Sequence, residues 1–323
     1  MNDGATVWLP YRREQIPGLP DGLSYRYWDG AGPAPGDPGE VTFLVGPPVP
    51  GAERVLRRVL PHMGRLRVLQ LLSSGYDHMV PLLGAMPAGT RLATARGVHR
   101  EATAELAVTL LLTLSRGIDR FITRQAEARW RPEVRSTLYG KRVLVVGHGA
   151  VGSAVAARLG TFGCEVVPVA RTGRTTPAGH VHGAAELRGL LPTADAVVLC
   201  APLTDLTRGL FGADALALLK DGALLVNVAR GELLDTRAVV REVRAGRLRV
   251  ALDVTDPEPL PDRHPLWHLP GALVTPHVGA FTDAFPRVTT DFLLRQLNRY
   301  ARGEELDNVV VTTTGHEAGE QAA

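Results

Sequence analysis

The sequence predicts an α/β protein of two domains built on parallel sheets, and three observations carry that expectation. Short apolar runs alternate with helical or polar stretches along most of the chain, the signature of a parallel sheet covered by helices on both faces. A glycine-rich turn joins one such run to an Ala-rich helix. The 323 residues suffice for two domains at roughly 100 to 200 residues each. With 45% hydrophobic and 21% charged residues, the chain can build real cores and is too apolar for general disorder.

In the first segment, residues 6–9, 41–45, 66–72 and 91–95 read as strands. Residues 52–60 set apolar side chains at 55, 56, 59 and 60, a helical spacing. Residues 29–40 contain seven Gly or Pro in twelve positions and read as a loop. A helical pattern from about residue 100 to 128, with 106, 107, 110, 111, 114 and 118 on one face, links the two domains. Strands are then expected at 142–146, 165–170, 196–200, 223–228, 249–254 and 272–275. Residues 312–323 are small and polar and are expected to fray.

Composition excludes several classes. The longest apolar run, 106–114, is cut by Ser115 and Arg116, short of the roughly 18 residues a membrane span requires. The start of the chain lacks the basic-then-apolar pattern of a secretory signal, so a cytoplasmic location is expected. The two cysteines, Cys164 and Cys200, give neither a disulfide framework nor a metal-ligand spacing and read as buried thiols. Net charge is only +3, and the basic residues are interspersed with acids, so no nucleic-acid partner is expected.

The sharpest motif is VLVVGHGAVGSAVAARLG, where Gly147, Gly149 and Gly152 form G-x-G-x-x-G between a strand and a helix. The first glycine permits the tight turn, the second lets a pyrophosphate approach the backbone, and the third lets helix pack on strand. His148, Ala150 and Val151 complete this candidate dinucleotide-binding turn, whose helix N-terminus attracts phosphate charge. In an NAD-selective site an acid at the end of the next strand holds the ribose 2′-hydroxyl. Here the strand EVVPVA runs into Arg171, Thr172, Gly173 and Arg174. With no carboxylate to repel a 2′-phosphate and two guanidiniums to bind it, NADP(H) is favoured over NAD(H).

Ligands of open α/β sheets bind beyond the carboxyl ends of the strands. Arg230, Glu258 and His277 each follow one of three successive strands there. An Arg fork can grip the carboxylate of a 2-oxo acid, and a His can pass a proton to the carbonyl oxygen as hydride reaches carbon. A carboxylate on the far imidazole nitrogen stabilises the imidazolium. No metal is needed for such chemistry. His264 and His268 are four apart, but Pro261, Pro265 and Pro270 argue against the helix that would pair them. His180 and His182 read as solvent-facing residues of a polar connector.

The segments LLSSGYDHM (71–79), ARGVHREATAELA (95–107), VLVVGHGAVG (143–152), APLTDLTRGLF (201–211), LVNVARGELLD (225–235), ALDVTDPEPL (251–260) and HPLWHLPGALVTPHVGA (264–280) resemble the D-isomer-specific 2-hydroxyacid dehydrogenase family. The cofactor-site differences bring the chain nearest its NADP-using glyoxylate/hydroxypyruvate reductases. The resemblance implies two Rossmann-like, flavodoxin-like domains, a dinucleotide domain at 98–282 inserted in a substrate domain at 1–97 completed by 283–323. It implies Arg230 as substrate-binding arginine, Glu258 as carboxylate partner and His277 as acid/base. Ser74, Gly75 and Tyr76 would meet the substrate carboxylate, and Asp253 would lie near the nicotinamide carboxamide. Cys200, Ala201, Pro202, Thr204 and Thr207, with Val228, Ala229 and Gly279, would line the cofactor. A homodimer exchanging the region around 100–138 is implied as well.

The expected activity is reduction of a small 2-oxo acid such as glyoxylate, hydroxypyruvate or pyruvate to the D-2-hydroxy acid. The alternatives are a dinucleotide sensor or co-repressor on the same scaffold, and a dehydrogenase of an inorganic oxyanion such as phosphite.

Overall fold

The structure, a computed structural model, describes residues 4–49 and 51–314. The chain divides into two compact units, residues 1–99 with 283–323 and residues 100–282. In the first, β1 (Ala5–Leu9), β2 (Leu23–Tyr27), β3 (Val41–Val45), α1 (Ala52–Val59), β4 (Val68–Gln70) and β5 (Arg91–Ala93) follow one another. The second contains α2 (Arg100–Arg116), α3 (Ile118–Ala126), β6 (Arg142–Val146), α4 (Ala150–Gly160), β7 (Glu165–Ala170), β8 (Arg174–Thr176) and β9 (Gly179–Gly183). It continues through α5 (Leu187–Leu190), β10 (Ala196–Leu199), α6 (Ala213–Ala217), β11 (Leu224–Asn227), α7 (Thr236–Arg244), β12 (Arg249–Leu252) and β13 (Ala272–Val274). The chain then returns to the first unit with α8 (Phe285–Arg302) and β14 (Val309–Thr312).

The first sheet has the order β14-β5-β4-β3-β1-β2, parallel except for β14, which runs antiparallel to β5. Strand alternation splits its core into two layers. Trp8, Leu44, Leu69 and Leu92 face α1 through Leu56, while Val7, Phe43, Val45 and Val68 face α8 through Leu293, Leu297 and Tyr300. Buried Gln70 accepts from Gln296 Nε2 (2.8 Å), tying the central strand to α8.

The second sheet has the order β13-β12-β11-β10-β6-β7-β9-β8, parallel but for β8 against β9. Its apolar runs are buried on both faces. Leu144, Val146, Val197 and Leu199 join α6 and α7 on one side, and Val143, Val145, Ala196 and Val198 join α2 and α4 on the other. The strand order reverses between β6 and β10, which opens the crevice where such sheets bind ligands.

Three expectations need correction. The helix expected over 100–128 breaks at Gly117, which sits in the left-handed region at φ +65°, so α2 and α3 are separate helices. Residues 179–183 are a strand, not a connector. Thr312 ends a strand, and Thr313 is buried with its amide bonded to Thr90 O (2.9 Å). The remainder of that tail, 315–323, lies outside the described residues.

Candidate active site

The glycine-rich turn is built as its residues demand. Gly147 has φ +101°, and a Cβ there would lie 2.4 Å from Ala201 N, so the turn packs directly on the loop after β10. A Cβ on Gly152 would lie 1.8 Å from Gly147 O, because α4 must seat against β6. At Gly149, the N-cap of α4, a Cβ would meet nothing within 4 Å. The protein's own packing therefore does not require the second glycine, and its open surface suits a pyrophosphate at the helix N-terminus. His148, Ala150 and Val151 are half-buried around it.

Arg171, Thr172 and Arg174 are exposed just past β7. Arg174 donates to His148 O (3.1 Å), so one guanidinium of the pair reaches the glycine-rich turn. Burial, and then the charge of Arg174, hold His148 below the usual histidine range. The loop after β10 begins with half-buried Cys200, whose thiol burial pushes up to about 12, and continues through buried Ala201 and exposed Pro202. The Thr207 hydroxyl accepts from Thr204 N (2.8 Å) and donates to Pro202 O (2.7 Å), which closes that loop on itself.

At the carboxyl ends of β11, β12 and β13, His277 Nδ1 donates to Glu258 Oε1 at 2.6 Å. Burial opposes ionisation of Glu258, yet the hydrogen bond and charge of His277, the Thr255 backbone and the charge of Arg230 together hold it below the usual carboxylate range. His277 and Arg230 thus both act on Glu258. Arg230 follows buried Val228 and Ala229, and its Nη1 donates to Ala229 O (2.7 Å).

Asn227, Gly231 and the donors to Asp253, none of them anticipated from the sequence in this role, hold this group. Asn227, fully buried, donates to Arg230 O (2.8 Å) and accepts from Ala229 N (3.0 Å), shaping the turn that presents the arginine. A Cβ on Gly231 would lie 2.0 Å from Thr255 O, so the loops after β11 and β12 are in backbone contact. Asp253, 2% exposed, accepts from Thr275 Oγ1 (2.6 Å), Val278 N (2.9 Å) and Gly279 N (3.0 Å). His277 N donates to Asp253 O (2.8 Å), and His277 itself adopts φ +52°. Asp253, expected beside the nicotinamide, therefore clamps the loop carrying the imidazole from both sides. The signal for Asn227 and Gly231 was their place flanking Val-Ala-Arg at a strand end; no local pattern marks the donors to Asp253.

Ser74, Gly75 and Tyr76 belong to the other unit, in the loop after β4, where Ser73 Oγ donates to Gly75 O (2.8 Å) and Tyr76 packs on the core. His264 accepts from Leu266 N (3.3 Å) at the head of a single 3-10 turn, Pro265–Trp267.

The family model described as the D-isomer specific 2-hydroxyacid dehydrogenase NAD-binding domain matches residues 108–279, more than half of the chain. The chain belongs to the D-isomer-specific 2-hydroxyacid dehydrogenase family. It is 31% identical over 265 residues to a glyoxylate reductase of Pyrococcus furiosus, covering 78% of each chain. It is 33% identical over 240 residues to the glyoxylate reductase/hydroxypyruvate reductase of Mus musculus, covering 72% of this chain and 73% of that one. A crystal structure of a D-isomer specific 2-hydroxyacid dehydrogenase from Xanthobacter autotrophicus Py2, in complex with NADPH and MES, superposes with a TM-score of 0.78 at 29% identity, covering 97% of this chain and all of that one. This dehydrogenase is accordingly an oxidoreductase of CH–OH groups that works with a nicotinamide cofactor. Among the described residues no helix is long and apolar enough to cross a membrane.

Proposed function

We propose that this dehydrogenase reduces a small 2-oxo acid, of the size of glyoxylate, hydroxypyruvate or pyruvate, to the D-2-hydroxy acid with NADPH. The observation that carries the reading is the 2.6 Å bond from His277 to Glu258, with Arg230 close enough to act on the same carboxylate. When bound, the nicotinamide supplies hydride. The chain's own residues do the rest. Arg230 binds the substrate carboxylate through its planar fork and polarises the neighbouring carbonyl. His277, its Nδ1 held by Glu258, turns Nε2 to the carbonyl oxygen and transfers the proton there. Glu258 stabilises the imidazolium and orients the ring, and Asp253 fixes the backbone from which it projects. Gly147, Gly149 and Gly152 would hold the pyrophosphate, with Arg171, Thr172 and Arg174 taking a 2′-phosphate. Ser74, Gly75 and Tyr76 would offer backbone to the substrate carboxylate.

The test is to follow nicotinamide absorbance with a panel of 2-oxo acids and each reduced cofactor. Turnover of a 2-oxo acid with NADPH ahead of NADH is expected. Binding of NADPH without turnover of any would favour a sensor, and oxidation of phosphite would replace the carboxylate in the grip of Arg230 by an inorganic oxyanion.

The homodimer belongs to the same proposal. Ile122, Trp130 and Val134 are 61%, 98% and 101% exposed along and after α3, apolar surface that a second copy would cover. Trp130→Ala with Val134→Ala is expected to weaken self-association in sedimentation equilibrium; a wild type that sediments as a monomer refutes the dimer.

A further inference from the structure

Outside the candidate active site, His180, His182 and Glu186 each offer one ligand atom, and these atoms all lie within 4.8 Å of one another. The grouping follows from the strand. Residues two apart on β9 point to the same face, and Val181 between the histidines points into the core at 1% exposure. The imidazoles meet edge to face with centroids 4.6 Å apart at 89°. The chain turns immediately after Gly183, which brings Glu186 back over the pair. Its Oε1 accepts from Gly183 N (2.8 Å), and its Oε2 accepts from His182 Nδ1 (2.7 Å). The carboxylate is thus already held by backbone with one oxygen on Gly183 N and the other facing the imidazole edge.

We propose that His180, His182 and Glu186 bind one divalent transition-metal ion on the outer edge of the second sheet. Two neutral imidazoles and one carboxylate suit Zn²⁺, Ni²⁺ or Cu²⁺, whereas Mg²⁺ and Ca²⁺ select oxygen ligands. Ligand bonds of roughly 2.0 to 2.2 Å require the three atoms to close around the ion. His180 is exposed and can swing inward, and the ion takes the place of the proton between His182 and Glu186. Three protein ligands leave the remaining positions to water. Its residues are distinct from Arg230, Glu258 and His277 of the proton-transfer group. It lies on the hairpin whose facing strand pairs Arg174 with Val181 and Thr175 with His180, so the ion would tie the turn at Glu186 to the strand beside the Arg174 segment.

The test uses tag-free, chelator-stripped protein titrated calorimetrically with ZnCl₂ and, in parallel, with MgCl₂. The wild type should take up one Zn²⁺ per chain and no Mg²⁺. Removal of an outer-shell partner alone costs a metal site roughly 10–100-fold in affinity, so loss of a ligand in His180→Gln or Glu186→Gln should cost at least about tenfold. With one equivalent of Cu²⁺, the electron paramagnetic resonance spectrum should show nitrogen coupling from two imidazoles in the wild type and from one in His180→Gln. His180 is exposed, so that variant reports on ligation without a burden on folding. A wild type that takes up no Zn²⁺, or a His180→Gln, His182→Gln double variant that binds it with unchanged stoichiometry and affinity, would overturn the site.

Discussion

The carboxyl ends of β11, β12 and β13 and the outer edge formed by β7, β8 and β9 belong to one sheet, yet they are held in different ways. At the first, loop backbones interlock: Gly231 against Thr255, Asn227 inside the Arg230 turn, and Asp253 with three donors from the His277 loop. At the second, Arg171 and Thr172 in the loop after β7 and Arg174 at the start of the three-residue β8 are exposed side chains, with one hydrogen bond from Arg174 to the glycine-rich turn. The contrast teaches that the groups proposed for proton transfer are set by packing, which substitutions nearby disturb. The groups proposed to choose the coenzyme can be exchanged at little cost to folding.

The largest expected effect is at the interlocked end. His277→Ala should lower kcat by about 10² to 10⁴ with NADPH affinity, read by fluorescence titration, nearly unchanged. Loss of NADPH binding as the main defect would remove His277 from proton transfer. Next comes a pair of glycines. Gly231→Ala should cost about 2–3 kcal/mol or more through overpacking, lowering Tm by roughly 5–10 °C. Gly149→Ala should leave Tm in place and weaken NADPH binding, since its Cβ meets only open space. Equal Tm losses in both would erase the contrast. At the outer edge, Arg171→Asp should swing the NADPH/NADH ratio of kcat/KM toward NADH by about tenfold or more through charge reversal, with Tm unmoved; a constant ratio would displace the 2′-phosphate from this edge.

The smallest effect is at the opposite end of the sheet, where no chemistry is expected. Asp195 accepts from Arg142 N (2.9 Å) and Lys220 Nζ (3.0 Å). Burial opposes its ionisation, but those bonds and the lysine charges outweigh it and hold the carboxyl below the ordinary 3.8. Its folded-state value being depressed, its stabilisation is present above the ordinary aspartate range and lost as pH falls through the folded value. Asp195→Asn should therefore cost about 1–2 kcal/mol at neutral pH, with the gap from the wild type closing as pH falls below the ordinary aspartate range and through the depressed folded-state value, while kcat stays unchanged. A gap that widens in acid would reverse the sign of this linkage.

Most of both sheets was legible because strands buried on two faces read as unbroken apolar runs, as in VTFLV at β3 and RVLVV at β6. The strands that escaped notice are peripheral. β2 (LSYRY) and the β8–β9 hairpin (RTT and GHVHG) are edge elements with exposed polar side chains, and β14 finds its place only by pairing with β5, more than 200 residues earlier. Arg230, Glu258 and His277 were legible as charged or titratable groups just past strands, a positional rule that needs no tertiary knowledge. The supports were not. The resemblance implied Asp253 only beside the nicotinamide carboxamide, and the fold alone supplies its donors from residues 275, 278 and 279.

The return of α8 and β14 to the first unit has a consequence for biosynthesis. Val7, Phe43, Val45 and Val68 emerge from the ribosome long before Leu293, Leu297 and Tyr300, which cover them. The inserted unit is contiguous in sequence and can close first, while the amino-terminal strands wait with one apolar layer bare. Chains truncated before residue 285 and released from the ribosome should therefore be the species that chaperones hold, although their inserted unit already resists protease.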